Sequence, residues 1–233
     1  MRLGLILLLL ALALPAVLLA APRDREPTQP APPQVLPPVA TSPPAPLPPV
    51  ATPTPTATPE PPRSRAAGRP WNGRLVHGRK LPLSGDGYVT WDPILKRVGN
   101  RPWRRWGTDR LLATVERVLG AYAARHPDAE PVLVGDLSRP RGGDFGPRFG
   151  GIGHASHQNG LDVDIYYPRL DRRLRAPRRP DQVDRAAAQE LVDAFVAEGA
   201  EYVFTGPSLG LRGPAGVVQQ LVHHDDHLHI RLN

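Results

Sequence analysis

The segment from Pro22 to about Arg65 most limits what this chain can fold into. It reads PTQPAPPQVLPPVATSPPAPLPPVATPTPTATPEPP over most of its length, dominated by Pro, Ala, Thr and Val. Such a composition cannot bury enough apolar surface to fold, and its prolines favour extended polyproline II. Residues 22–67 are therefore expected to form a disordered spacer. That leaves 68–233 for a single domain, long enough for one hydrophobic core. Ahead of the spacer, Arg2 provides a short positive start, Leu3 to Leu19 is almost wholly apolar, and small residues follow at Ala20 and Ala21. Residues 1–21 read as a secretory signal peptide, with an uncleaved N-terminal anchor as the alternative. Both readings export the rest of the chain to the periplasm or cell envelope, and contact with a membrane is expected only through such an anchor.

The chain has no cysteine, so disulfides are excluded and stability must come from the core, with a metal as a candidate supplement. The net charge of +7 comes partly from clusters such as RPWRRW and RRLRAPRRP. A basic surface attracts polyanions. In an exported protein the polymers of the wall or envelope fit better than nucleic acid, which is not expected as a partner. A solvated basic surface is the alternative.

Periodicity places a few elements. Thr108 to Arg125 carries Leu111, Val115, Val118, Leu119 and Tyr122 at helical spacing, and Pro127 follows its end. Gln182 to Glu198 reads as a second helix, with Asp181 as its cap and Gly199 as its terminator. Pro131 to Ser138 is a short apolar run suited to a buried strand. In LDVDIY, Leu161, Val163 and Ile165 alternate with Asp162, Asp164 and Tyr166, so both carboxylates share one strand face. A solvated edge strand would show the same alternation. The C-terminal HHDDHLHIRLN repeats it: Leu228, Ile230 and Leu232 alternate with His227, His229 and Arg231. The expected fold is α+β, a mainly antiparallel sheet with flanking helices.

His-x-His on a strand aims two imidazoles at one point. Imidazole nitrogen and carboxylate oxygen are both zinc ligands, and a catalytic site uses three of them beside an open position. If the two polar strand faces converge, His157, Asp164 and His229 complete such a set. Asp162, on the same face as Asp164, either orients a ligand histidine or caps a backbone group at the surface. The glycines of GGDFGPRFGGIGH suit a backbone running close to an extended substrate, or a loop without a contact role.

GGIGHASHQNGLDVDI followed by HHDDHLHIRL resembles the penicillin-insensitive murein endopeptidases. These belong to a wider group of peptidoglycan metallopeptidases with lysostaphin-type, D-Ala-D-Ala metallopeptidase and hedgehog-type relatives. NGRLVHGRKLP and LVGDLSRPRGG also resemble segments of that family, so the likeness covers most of 68–233. The resemblance implies a zinc-dependent endopeptidase acting on the peptide cross-links of peptidoglycan without a serine nucleophile. It implies His157, Asp164 and His229 as zinc ligands, and His224 and His227 as catalytic histidines beside the metal. His154 becomes a further histidine near the metal without being a ligand. His223 has no counterpart in the motif and reads as part of a polar turn. The segment between the motifs is short here, and the cysteines of some relatives are absent. A D,D-carboxypeptidase or dipeptidase acting on wall peptides is the alternative, with Arg139 as the cation for a substrate carboxylate. A non-catalytic zinc-containing wall-binding protein is another, and a secreted metal-dependent nuclease ranks below both.

Overall fold

The computed structural model describes residues 63–149 and 155–233. The signal or anchor, the spacer as far as residue 62, and His154 lie outside the described residues. In chain order the strands before the first helix are β1 (Arg65–Arg69), β2 (Asn72–Val76), β3 (Arg79–Lys80), β4 (Ser84–Gly85), β5 (Tyr88–Asp92), β6 (Arg97–Val98) and β7 (Trp106–Gly107). Helix α1 (Asp109–Arg125), β8 (Val132–Val134), β9 (Asp162–Tyr166), α2 (Arg185–Ala197), β10 (Tyr202–Thr205), β11 (Val218–Gln220) and β12 (His227–Arg231) follow. Strand β1 starts ahead of Gly68 because it pairs with β2 as a hairpin.

The main sheet has eight strands and runs β11-β10-β12-β9-β8-β5-β4, with β6 paired to β5. Its pairs are antiparallel except β5–β8 and β10–β11. The fold is α+β. Strand β9 lies inside the sheet between β8 and β12, so the edge-strand alternative does not hold, and both of its faces are buried. Val163 and Ile165 of β9 join Leu228 and Ile230 of β12 in the main core. Both helices pack into that core, Leu111, Val115 and Leu119 from α1 and Leu191 and Phe195 from α2. Each of these side chains gains roughly 1.5–3 kcal/mol from leaving water.

Helix α1 starts where its sequence pattern starts. The Thr108 hydroxyl accepts from the Leu111 amide at 3.2 Å, and the periodic residues are all buried. Helix α2 starts later than expected. Asp184, not Asp181, is its cap, accepting from the Ala187 amide at 3.1 Å. Pro180 opens a short 3-10 turn over Pro180–Gln182, and Val183 then returns to extended backbone. Asp181 instead pairs with Arg179 at the surface. Strand β8 stops at Val134 although the apolar run continues to Ser138. Beyond it the backbone turns to other partners: Gly135 donates to the Asp164 carbonyl, Leu137 to Arg104 and Ser138 to Trp106.

That departure is fixed by a buried ion pair. Arg104 and Asp136 are both almost fully buried and form a two-pronged contact, through Nε at 2.6 Å and through Nη2. Asn100 adds Nδ2 bonds to Asp136 and to the Gly135 carbonyl, each at 3.0 Å. The Asp136 carbonyl in turn accepts from the Asp164 amide at 2.9 Å, so the pair holds the backbone behind Asp164.

Removing one member of a buried pair strands the other charge. Asp136→Ala is expected to lower the unfolding free energy by about 3–5 kcal/mol in urea denaturation. Replacing both residues, Arg104→Met with Asp136→Leu, should recover much of that loss. An Asp136→Ala protein as stable as the parent would refute the role given to the pair.

Candidate metal centre

The register of two neighbouring strands builds the site. His229 of β12 lies directly opposite Asp164 of β9, and Arg231 lies opposite Asp162. All four side chains stand on the face turned away from the helices, because side chains alternate along a strand. His157 reaches the same point from the loop before β9. Its backbone is in the left-handed region, φ 68°, which is uncommon for a residue with a Cβ. The Asp162 carboxylate stabilises that turn by accepting from the His157 amide at 3.2 Å.

Ligand atoms of His157, Asp164 and His229 lie within 4.8 Å of one another, and all three residues are buried. His157 Nε2 is 3.3 Å from Asp164 Oδ1, and His229 Nδ1 is 3.2 Å from the same oxygen. A tetrahedral metal bound at about 2.0–2.1 Å separates its ligand atoms by roughly 3.3–3.4 Å, which the two separations from Asp164 Oδ1 match, while the third pair lies within 4.8 Å. The protonation pattern agrees. His229 Nε2 lies 2.9 Å from Asp162 Oδ1, and a carboxylate accepts, so Nε2 carries the proton. In the neutral ring, Nδ1 is then a lone pair facing a second carboxylate, and that contact needs a cation or a second proton between them. Burial opposes charging of His229, but Asp162 and Asp164 outweigh it and push its pKa up to about 9. The same field favours a metal ion in competition with that proton. Burial likewise opposes the charge on Asp164, yet His157 and His227 hold its carboxyl well below the usual range.

Asp162 makes the contacts that both of its expected roles call for. It orients His229 and caps a backbone amide, but from a fully buried position rather than at the surface. It also accepts from Arg231 Nε at 2.7 Å.

His224 and His227 stand beside the trio, with ring centroids 4.8 Å apart. His224 lies in the turn before β12, and its Nδ1 is 2.9 Å from the Val222 carbonyl. A carbonyl only accepts, so Nδ1 is protonated and Nε2 is left as an acceptor. Burial pushes the His224 pKa down, which keeps that neutral form. His227 Nδ1 is 2.6 Å from Asp226 Oδ1, and its Nε2 is 3.8 Å from Asp164. Burial opposes charge on His227, but Asp164 and Asp226 move its pKa upward overall. Neighbouring environments thus drive two adjacent imidazoles in opposite directions.

These rings line a cavity of about 610 Å³ with Phe204, Trp71 and Arg231. Phe204 stands 5.6 Å from His229 and 6.2 Å from His224. His223 is exposed at the cavity rim with φ 67°, as a turn residue. Arg139 lies elsewhere. Its guanidinium sits 3.6 Å from the Phe149 ring centroid and donates to the Asp144 carbonyl, and it does not line this cavity. Of the glycine-rich stretch, Phe145 is buried 6.2 Å from the His157 ring, so this part supports a donor from behind. Sequence reasoning did not single out Phe204, Trp71 or Arg231. Only Arg231 carried a usable signal, its alternation with His227 and His229.

The chain is 36% identical over 108 residues to the penicillin-insensitive murein endopeptidase of Salmonella arizonae, a stretch covering 46% of this chain and 34% of that relative. Proteins of the same name from Salmonella newport and Salmonella dublin show the same identity and coverage. The chain thus spans about a third of the length of these relatives. A family described as penicillin-insensitive murein endopeptidase matches residues 66–205, which include His157 and Asp164 and end before β12. That match takes in more than half of the 233 residues, and the chain belongs to the penicillin-insensitive murein endopeptidase family.

Proposed function

We propose that this protein is an exported, zinc-dependent endopeptidase that hydrolyses the peptide cross-links of peptidoglycan. The observation that carries the reading is the buried His157, Asp164 and His229 cluster on the floor of a cavity walled by His224 and His227. Membership of the family and the murein endopeptidase name of the relatives supply the substrate class. Action on the wall requires a place in the periplasm or cell envelope, in keeping with the apolar N-terminal stretch. Among the described residues, no helix is long and apolar enough to cross a membrane.

In this reading His157, Asp164 and His229 hold the zinc, which when bound polarises the scissile carbonyl and makes water more acidic. The remaining chemistry belongs to the chain. His224, held by the Val222 carbonyl, presents Nε2 as the base that takes a proton from the attacking water. The same nitrogen then returns that proton to the leaving amine. His227, with its Nδ1 proton on Asp226, presents Nε2–H in its charged form to the oxygen on which negative charge develops. Asp162 keeps the Nε2 proton of His229 in place, so that Nδ1 faces the site. No serine nucleophile takes part, so no acyl-enzyme forms and penicillin has nothing to trap.

Digestion of purified peptidoglycan followed by mass spectrometry of the muropeptides tests the reaction. Dimers should fall to monomers, with activity unaffected by penicillin and lost to a chelator. Free D-alanine released from intact dimers would select a carboxypeptidase. Binding of the sacculus with no product would select a non-catalytic wall protein.

Metal analysis tests the ligand set. The parent should hold about one zinc per chain, and His157→Ala, Asp164→Ala and His229→Ala should each lose it. Asp162→Asn should weaken affinity by about 10–100-fold, the usual cost of removing a partner that orients a ligand.

Variants at the two remaining histidines separate chemistry from binding. His224→Ala and His227→Ala are expected to keep zinc and lose about 100-fold or more in kcat, and His223→Ala should turn over like the parent. A fully active His224→Ala protein would remove it as the base.

A further inference from the structure

Arg231 continues the polar face of β12 two residues beyond His229, about 7 Å further along the strand. The residue is only 8% exposed. Its Nε is held by Asp162, and its two Nη atoms, which are not among the buried atoms lacking partners, open to the cavities the residue lines. Asp162 is shared with His229, so the guanidinium has no carboxylate of its own. The rings of Trp71 and Tyr202 flank it, with centroids 6.0 and 5.9 Å from Cζ. Arg231, Trp71 and Phe204 line both the cavity over the metal centre and a second cavity of about 460 Å³, whose walls include Tyr202 and Arg69. The two cavities therefore adjoin at Arg231.

A cation seated in a largely buried wall with donors facing a cavity is screened less than a surface charge and attracts an anionic ligand more strongly. Guanidinium donors form a planar fork that matches a carboxylate, and aromatic walls strengthen the contact by excluding water. Arg69, 5.5 Å from the Trp71 ring, and Glu201 both line the outer cavity and offset each other in charge, which leaves Arg231 as its excess cation.

We propose that Arg231 anchors a carboxylate subsite beside the metal centre, selecting wall peptides with a free carboxylate about two residues from the scissile bond. This rests on the endopeptidase reading. The carboxylate is either a C-terminal α-carboxylate or a side-chain carboxylate of the cross-linked peptide. The role expected for Arg139 from sequence thereby passes to Arg231.

The test uses the full zinc-loaded chain and cross-linked muropeptide dimers in three forms: all carboxylates free, terminal α-carboxylates amidated, and side-chain carboxylates amidated. In the parent, one amidated form should lose about 10–100-fold in kcat/KM, the size expected for a charged hydrogen bond, and its identity names the source. In Arg231→Gln the three forms should differ by less than about 3-fold, with Arg231→Lys in between. Equal turnover of all three by the parent overturns the subsite while leaving the endopeptidase reading intact, and this arm does not depend on the variant folding. If no dimer is cleaved, the endopeptidase reading fails, and calorimetric titration of the same three compounds decides the subsite alone. Affinity lost on amidation in the parent supports it, and equal or absent binding overturns it.

Discussion

The alignment of β12 against β9 is the constraint on which the site depends. His229 stands opposite Asp164 in the interior of the sheet, one pair among five in an unbroken register. A slip of one residue would send His227, His229 and Arg231 to the helix side and bring Leu228 and Ile230 to the cavity. The core forbids that slip, because Val163, Ile165, Leu228 and Ile230 are all fully buried beneath α1 and α2. Apolar packing on one face thus sets the geometry of charged groups on the other.

Those charged groups are costly. A carboxylate taken out of water loses several kcal/mol of solvation unless partners replace it. Asp162 has three: the His229 ring, the Arg231 guanidinium and the His157 amide. They connect one buried side chain to two members of the histidine–aspartate cluster and to the adjoining cavity. Arg104 and Asp136 do a related job one layer back, fixing the loop that accepts from the Asp164 amide. Neither arrangement is needed for the sheet to exist, since an apolar replacement of similar volume would pack as well. Both hold the residues that carry the donor atoms of His157, Asp164 and His229, which lie within 4.8 Å of one another.

The surroundings of the cluster divide labour between similar groups. His224 and His227 are neighbours of the same type, yet burial pushes one toward its neutral form against the pull of the Val222 carbonyl, while two carboxylates favour charge on the other. Phe204 and Trp71 line the same cavity, so aromatic and polar side chains share its wall.

The strand alternations and the stripe of α1 were legible in the sequence, because both are local periodicities of two and of 3.6 residues. So was the clustering of His157, Asp164 and His229 as a hypothesis, since an apolar back on each strand obliges its polar front to face the other way. Details decided by distant partners were not legible. Asp181 and Asp184 are equivalent as caps until Pro180 is seen to spend the preceding residues on a separate turn. The apolar run after Val134 looks like strand until its amides are seen to bond Asp164, Arg104 and Trp106. Arg139 and Arg231 are equally cationic on paper, and only the folded chain lays the first over Phe149 and turns the second toward the cavity. By itself the sequence determined which residues share a face of each strand, because that follows from backbone geometry alone. Tertiary structure decided which faces meet, because strand pairing joins segments some 65 residues apart and only the buried core selects their register.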